Sequence, residues 1–152
     1  MRKLLAFSLV IFAVSFPFSS NAQCAKMGKS AIKNLLPFRS NGQLNIMVLS
    51  EGEIAELNIV FSGGIKYRIL SKGGIGIGDL AIKIYDRKRV LVYDNADHSM
   101  AQVWDFENKT TQNFTIEVKF PVGDDGYNTV TGRGCVAIAI GYLQDVNSKS
   151  NK

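Results

Sequence analysis

Histidine and cysteine are scarce in this sequence, which has one histidine and two cysteines among 152 residues. A nucleophilic hydrolase needs a nucleophile, a base within hydrogen-bond reach and a third group that orients the base. The sequence has no G-x-S-x-G motif, and its histidine, His98, lies in a polar segment that is typical of a turn. The sequence also has too few histidines and cysteines for a zinc site built from histidine and thiolate ligands. The scarcity argues against both kinds of centre.

Long apolar runs are also scarce, and the one that exceeds the length of a strand covers residues 4–18. Arg2 and Lys3 precede this run, and the small residues Ser20 and Ala22 follow it. This order is typical of a secretory signal peptide, and the run is too short for a convincing membrane span. We expect cleavage after Ala22 and a periplasmic or secreted mature chain that has no membrane span.

Cleavage at this position divides the chain into three parts. They are a signal peptide (1–22), a β-sandwich domain (23–145) and a polar C-terminal tail (146–152). The alternative is lipid attachment at Cys24, which the bulky Gln23 directly before it disfavours.

The charge of the mature chain is close to balanced. Removing Arg2 and Lys3 leaves 16 basic residues against 13 acidic ones, a net charge of +3. The basic residues are scattered except at 87–89 (RKR), which lies between two strand-like runs. This triplet is typical of a solvated hairpin turn rather than a nucleic-acid patch. We therefore expect no nucleic-acid partner.

The two cysteines, Cys24 and Cys135, lie near opposite ends of the predicted domain. Export implies an oxidising compartment, and a pair of cysteines in such a chain predicts one disulfide. The bond would tie the start of the mature chain to the last predicted strand. The alternative is two unpaired thiols.

Apolar and polar residues alternate along most of the chain after residue 42, as in 114–120 (FTIEVKF). A period of two predicts strands with one buried face, and the short connections between them leave no room for crossover helices. The runs 90–93 and 135–143 are apolar almost throughout, which favours central strands. The pattern predicts an antiparallel β-sandwich of about eight strands, with a short N-terminal helix within 25–36. The strands are predicted at 43–49, 55–61, 65–69, 80–85, 90–93, 100–106, 114–120 and 135–143.

Two clusters of oxygen-bearing side chains could hold calcium. The first contains Asp94, Asn95 and Asp97, and the second contains Asp124 and Asp125. The same residue types are also common in turns, because their side chains bond the local backbone. We expect no cofactor, with calcium as the open alternative. The glycine-rich segment 72–79 (KGGIGIGD) runs into a predicted strand rather than a helix, so we interpret it as a connection and not as a phosphate-binding loop.

The segment 94–106 (DNADHSMAQVWDF) contains the sole tryptophan of the chain, Trp104. The period of two places Trp104 and Phe106 on one face of a strand. We predict that both anchor the core, because a neighbouring aromatic residue shares that face. The alternative is that Trp104 is an exposed platform for a ligand.

Several motifs of the chain resemble known proteins. The order E-x-A-E-L, F-x-G-x-x-Y-R-I, Y-D-N-x-D, A-Q-x-W-D-F, T-I-E-V and G-C-V-A-I, from Glu53 to Ile138, resembles a set of small secreted proteins of Bacteroidota-type bacteria. That resemblance implies no particular activity. The strand order, with Y-R-I early and F-T-I-E-V late, is more loosely similar to pre-peptidase C-terminal domains. Those domains are jelly-roll-like β-sandwiches, and the likeness implies a non-catalytic accessory role, in some cases with calcium or matrix polymers.

These observations predict an exported, non-catalytic β-sandwich module that binds a surface glycan or a protein partner or has a structural role. The alternatives are a small secreted hydrolase that uses carboxylates and a calcium-stabilised accessory domain. An enzyme would need a concave pocket with converging polar groups, whereas a binding module can use an exposed face.

Overall fold

The chain forms one α-helix and eight β-strands. The computed structural model describes residues 20–75, 77–122 and 132–143, with side chains from Cys24 onward. In chain order the elements are α1 (Ser20–Lys33), β1 (Arg39–Ser50), β2 (Ile54–Phe61), β3 (Ile65–Gly73), β4 (Ala81–Asp86), β5 (Leu91–Asp94), a 3₁₀ helix (Asn95–His98), β6 (Val103–Asn108), β7 (Gln112–Lys119) and β8 (Arg133–Leu143). Among the described residues, no helix is long and apolar enough to cross a membrane.

The strands form two four-stranded antiparallel sheets with a jelly-roll order. Sheet A has the order β1-β8-β3-β6, and sheet B has the order β2-β7-β4-β5. The first strand pairs with the eighth, the second with the seventh, the third with the sixth and the fourth with the fifth. Successive pairs fall in opposite sheets, so the chain is one long hairpin rolled into a double-sheet sandwich. The prediction of an antiparallel, jelly-roll-like sandwich of about eight strands is confirmed.

The core lies between the inner faces of the two sheets. In β7 the apolar residues Phe114, Ile116 and Val118 are buried, while Glu117 and Lys119 of the same strand are only half-buried. A strand with this alternation buries its apolar face at each second residue, which removes that surface from water. Strand β8 lies between β1 and β3 and is buried from 136 to 141, as expected for a central strand with both faces covered.

Helix α1 covers part of the outer face of sheet A. Its buried residues pack with outward-facing residues of the sheet in a second apolar cluster, which contains Met27, Ala31, Leu35, Leu70, Ala137 and Ala139. The helix lies close to β1 at Gly28, where an added Cβ would lie 2.5 Å from Ile46 Cδ1 and 3.0 Å from Leu44 Cδ2, so these side-chain ends would have to shift. The helix begins five residues before the predicted segment and ends at Lys33, ahead of Pro37.

A disulfide fixes this helix to the sheet. Cys24 in α1 bonds to Cys135 in β8, with their Cα atoms 5.5 Å apart and a sequence separation of 111. The predicted pairing is therefore confirmed. Because the Cys24 sulfur is part of this bond, it is not available for the lipid attachment considered as an alternative.

Strand β5 was predicted wrongly as a central strand. It is the edge of sheet B, and the three aliphatic residues Val90, Leu91 and Val92 are about half exposed. An uninterrupted apolar run predicts burial on both faces, but it does not show whether the fold supplies a second neighbour for the strand. Here the rolled hairpin turns between β4 and β5, which leaves β5 with one partner.

Candidate functional site

The 94–106 segment crosses from sheet B to sheet A. Asp94 ends β5 and caps the 3₁₀ helix by accepting a hydrogen bond from the Ala96 N–H at 3.0 Å. Its carboxylate also lies 3.4 Å from Lys83 Nζ, and this negative charge raises the pKa of Lys83. Asp94 therefore holds a turn and one ion pair, both of which are local structural roles.

Asn95 is buried and bonded to three backbone groups. Its side-chain oxygen accepts a hydrogen bond from the Ile82 N–H at 2.8 Å, and its amide donates to the carbonyls of Leu80 at 2.8 Å and Ala101 at 3.2 Å. These contacts join the start of β4 to both ends of the connection between β5 and β6. Burial of an amide is tolerated when its hydrogen-bonding groups are satisfied. Asn95 is thus a structural link, a role that the sequence did not reveal.

This geometry bears on the first of the two calcium candidates. The Asn95 oxygen is directed into the protein and is already bonded, whereas Asp97 is exposed on the 3₁₀ helix. Within the described ranges, no group of three or more histidine, cysteine or acidic side chains is arranged to hold a metal ion. Asp124 and Asp125 lie outside the described residues. Calcium therefore stays an untested alternative.

Four rings form a continuous stack between the edge strands β5 and β6. His98 stacks on Tyr93 with ring centroids 5.0 Å apart, Tyr93 stacks on Trp104 at 4.7 Å, and Trp104 stacks on Phe106 at 4.2 Å. Burial raises the pKa of the Tyr93 hydroxyl. Trp104 and Phe106 are half-buried and pack against the main core. Because rings cover both faces of Trp104, the indole has no free face on which a ligand could stack.

A cleft of about 470 Å³ lies at the end of the sandwich where β3 stops and β6 starts. Its apolar lining includes Leu70, Ile77 and the exposed Val103, and its polar lining includes Lys72 and Asp79. The remaining lining residues are Asn34, Ser71, Gly73, Gly78 and Gln102. This volume is in the range of small-ligand sites, and the cleft combines an apolar floor with a few polar groups.

The glycine-rich segment forms one wall of this cleft. Ile77 packs against Gly73, where an added Cβ would lie 2.9 Å from its Cγ2 atom. The glycines thus make room for an apolar side chain, and the segment leads into strand β4 rather than a helix. The interpretation as a connection between strands is correct. The sequence did not predict the cleft, because it combines residues from four separate parts of the chain.

Two of the polar groups in the cleft are engaged in hydrogen bonds with neighbouring side chains. The Ser71 hydroxyl donates a hydrogen bond to the Gln102 side-chain oxygen at 2.6 Å, and Lys72 Nζ donates to the Ser30 hydroxyl at 2.8 Å. Among the lining residues that the structure describes, Asp79 is the sole carboxylate, and His98 is not one of them. Among the described lining residues, Ser71 is therefore bonded to an amide oxygen rather than to a base, and Asp79 has no second carboxylate beside it.

The hydrolase alternative would need paired carboxylates, and one such pair lies elsewhere. Glu56 of β2 and Glu117 of β7 are direct cross-strand partners on the outer face of sheet B. Glu56 is exposed and forms an ion pair with Arg89 at 2.9 Å, while Arg89 also lies over the Tyr85 ring at 4.9 Å. The Glu56 carboxylate is therefore engaged by a cation on the exposed outer face of the sheet.

No family model matches the chain, and no curated protein matches its sequence. Among solved structures, the chain is similar to PliG from Aeromonas hydrophila, a periplasmic inhibitor of g-type lysozyme. The TM-score is 0.48 and the identity 8%, over 66% of this chain and 85% of PliG. It is also similar to a de novo designed double-stranded β-helix, with a TM-score of 0.31 and 16% identity, over 66% of this chain and 99% of the design.

Both are distant likenesses of fold, so a function has to be argued from the residues of this chain. Neither tests the resemblances to secreted Bacteroidota-type proteins and to pre-peptidase C-terminal domains, which stay predictions.

Proposed function

We propose that this protein is an exported, non-catalytic module that binds a protein partner through the cleft at the β3–β6 end of the sandwich. The observation that carries the proposal is the combination of that cleft with exposed aliphatic side chains at its margin. Val103 lines the cleft and is 42% exposed, and Ile75, in the loop that forms its wall, is fully exposed. Aliphatic side chains that stay in contact with water beside a polar rim are typical of interaction surfaces.

Export is supported by the N-terminal pattern and by the disulfide. Arg2, Lys3, the apolar run and Ala22 have the order of a signal peptide. The bond between Cys24 and Cys135 is of a kind that persists in oxidising compartments.

A protein partner fits the exposed residues better than a glycan. The large hydrophobic side chains that are exposed in the described ranges are all aliphatic. Trp104, the ring most suited to stack on a sugar, is covered on both faces. Aliphatic side chains next to polar groups can contact a peptide segment through apolar area and hydrogen bonds together.

A non-catalytic role is supported by the chemistry of the cleft. General acid–base catalysis needs groups that exchange protons in the reaction, and glycoside hydrolysis uses two carboxylates. In the described part of the chain, the cleft is lined by Asp79 and Lys72 and by no second carboxylate. Lys72 and Asp79 can each form an ion pair with a bound segment, and the other polar groups can form hydrogen bonds with it.

The proposal is tested by exchanging the charges of the cleft. Lys72→Glu with Asp79→Lys reverses the pattern that a partner meets while the net charge stays the same. The matched control is Lys66→Glu with Glu107→Lys, which exchanges an exposed pair at the other end of β3. Each protein is immobilised, incubated with native cell-envelope extract and, separately, applied to a glycan array.

We expect the wild type and the control to retain the same protein at comparable levels and the cleft variant to lose most of it. Retention of the same protein by the cleft variant would contradict the assignment of the cleft. Glycan binding by the wild type without any retained protein would replace the protein partner with a carbohydrate.

A further inference from the structure

The hairpin between β4 and β5 exposes six consecutive residues, of which the first three are basic and the next three are aliphatic. Arg87, Lys88 and Arg89 form the turn and are exposed, and Val90, Leu91 and Val92 follow with exposed fractions of 57%, 47% and 48%. A run of exposed aliphatic residues has a cost in water, so its presence on a folded protein usually marks a contact surface. Here the aliphatic residues directly follow the basic residues along the chain.

The turn is held in one conformation by its own backbone and by Asp86. One Asp86 carboxylate oxygen accepts hydrogen bonds from the Lys88 N–H at 2.8 Å and the Val90 N–H at 2.9 Å. The backbone N–H of Asp86 donates to the Val90 carbonyl at 2.9 Å, and the Arg89 N–H donates to the Asp86 carbonyl at the same distance. A preformed turn loses little conformational entropy when it binds.

The positive charge of the turn is only partly neutralised within the protein. Arg89 pairs with Glu56, whereas Arg87 and Lys88 form no ion pair with any residue in the described ranges. Lys109 is also exposed, in the turn between β6 and β7 at the same end of the sandwich. This end of the protein therefore offers at least two basic side chains to an anionic partner.

The edge of β5 is poorly suited to pair with another strand. The strand has four residues, and the register shifts between its pairs with Ile84 and Tyr85, which leaves Val92 in a bulge. Short length and bulges block the addition of a further strand at a sheet edge. The side chains of Val90, Leu91 and Val92 are therefore exposed on an edge that does not provide a template for a further strand.

We propose that the β4–β5 hairpin docks onto an anionic phospholipid bilayer. Arg87 and Lys88 would lie among the phosphate groups, and Val90, Leu91 and Val92 would reach the boundary between headgroups and acyl chains. Basic residues beside exposed apolar ones are the combination that binds peripheral proteins to anionic membranes. A bilayer also accommodates exposed aliphatic side chains without needing a groove of matching shape.

This surface lies at the opposite end of the sandwich from the cleft. The end of β4, where the hairpin begins, pairs with the start of β7, and the start of β7 pairs with the end of β2. A tight turn then leads from β2 into the start of β3, so the start of β3 lies at the same end of the sandwich as the hairpin. The cleft is at the far end of β3. A protein docked through the hairpin would hold the cleft away from the bilayer. The inference goes beyond the proposed binding function and does not depend on it.

The test is sedimentation of natively purified, oxidised protein with unilamellar vesicles. One set of vesicles contains phosphatidylglycerol and phosphatidylcholine in equal amounts, and the other contains phosphatidylcholine alone. We expect binding to the anionic vesicles that weakens as salt is added. Arg87→Gln with Lys88→Gln should lower the partition coefficient by roughly fivefold for each charge removed. Replacing Val90, Leu91 and Val92 together by threonine should lower it by about tenfold or more, while the β-branched side chains preserve the strand.

Two control variants separate the hairpin from general effects. Lys26→Gln with Lys29→Gln removes the same charge from exposed positions on α1. Ile54→Thr with Val122→Thr removes exposed aliphatic side chains away from the hairpin. Both should sediment like the wild type. The proposal is overturned if the wild type does not bind anionic vesicles, if it binds both vesicle types equally, or if the controls lose as much binding as the hairpin variants.

Discussion

Replacing Asn95 by alanine should be among the most damaging single substitutions in the described part of the chain. The residue has no solvent exposure, and its side chain forms hydrogen bonds with the backbone of Ile82, Leu80 and Ala101. At about 1 kcal/mol for each hydrogen bond, the loss is about 3 kcal/mol, and the backbone groups left buried without a partner add to it. For a domain of this size, 3 kcal/mol corresponds to a decrease in Tm of roughly 10 °C.

Asn95→Asp distinguishes the structural role from the calcium alternative. A carboxylate would keep the bond with the Ile82 N–H but would face the carbonyl oxygens of Leu80 and Ala101 without a proton to donate. We therefore expect Asn95→Asp to be at least as destabilising as Asn95→Ala, because it also buries a charge. At a calcium site, an added carboxylate would instead be tolerated or would strengthen binding.

The assay is thermal unfolding followed by circular dichroism, with and without millimolar calcium. Asp97→Ala is the matched control, since Asp97 is exposed in the same 3₁₀ helix, and it should change stability by less than about 1 kcal/mol. An Asn95→Ala protein that melts within about 2 °C of the wild type would refute this reasoning. So would an Asn95→Asp protein that is as stable as the wild type.

Three further predictions follow from the same contacts. Trp104→Ala should destabilise the fold by about 3 kcal/mol, because it leaves a cavity and removes two stacked ring pairs. In the wild type, iodide should quench the native tryptophan emission only partly. A variant that melts like the wild type would contradict the anchoring role. Cys24→Ser should lower the free energy of unfolding by roughly 2–5 kcal/mol, because the unfolded chain loses its cross-link. Chemical denaturation of the oxidised proteins measures this loss, and reduction of the wild type should give a similar one. Excess calcium should leave Tm unchanged, and an increase in the wild type that is absent from the double variant Asp94→Ala, Asp97→Ala would instead establish a calcium site.

Much of the fold could be predicted from local patterns. Alternation in 114–120 correctly indicated β7, with Phe114 and Ile116 facing the core, because a strand exposes successive side chains on opposite faces. The pairing of Cys24 with Cys135 followed from their number and the N-terminal pattern. The strand depends on residues that are close in sequence, and the disulfide joins the two cysteines of the chain.

The features that could not be predicted depend on which strands become neighbours. The apolar runs at 90–93 and 135–143 look alike in sequence, yet β5 is an edge and β8 is central. Asn95 was interpreted as a turn residue or calcium ligand, because its partners at Leu80 and Ile82 are 13 to 15 residues away. The cleft depends in the same way on contacts between distant parts of the chain, since Asn34, the end of β3, residues 77–79 and the start of β6 line it together.

Site-specific photo-cross-linking at Val103 tests most directly whether a protein partner binds in the cleft. A photoreactive amino acid is placed at Val103 in the cleft and, in a second protein, at the exposed Val60 on the outer edge of sheet B. After irradiation in intact cells, adducts are identified by mass spectrometry. We expect a discrete protein adduct at Val103 that is absent at Val60 and is lost when Lys72→Glu and Asp79→Lys are added. The same adducts at both positions, or none at Val103, would contradict this expectation.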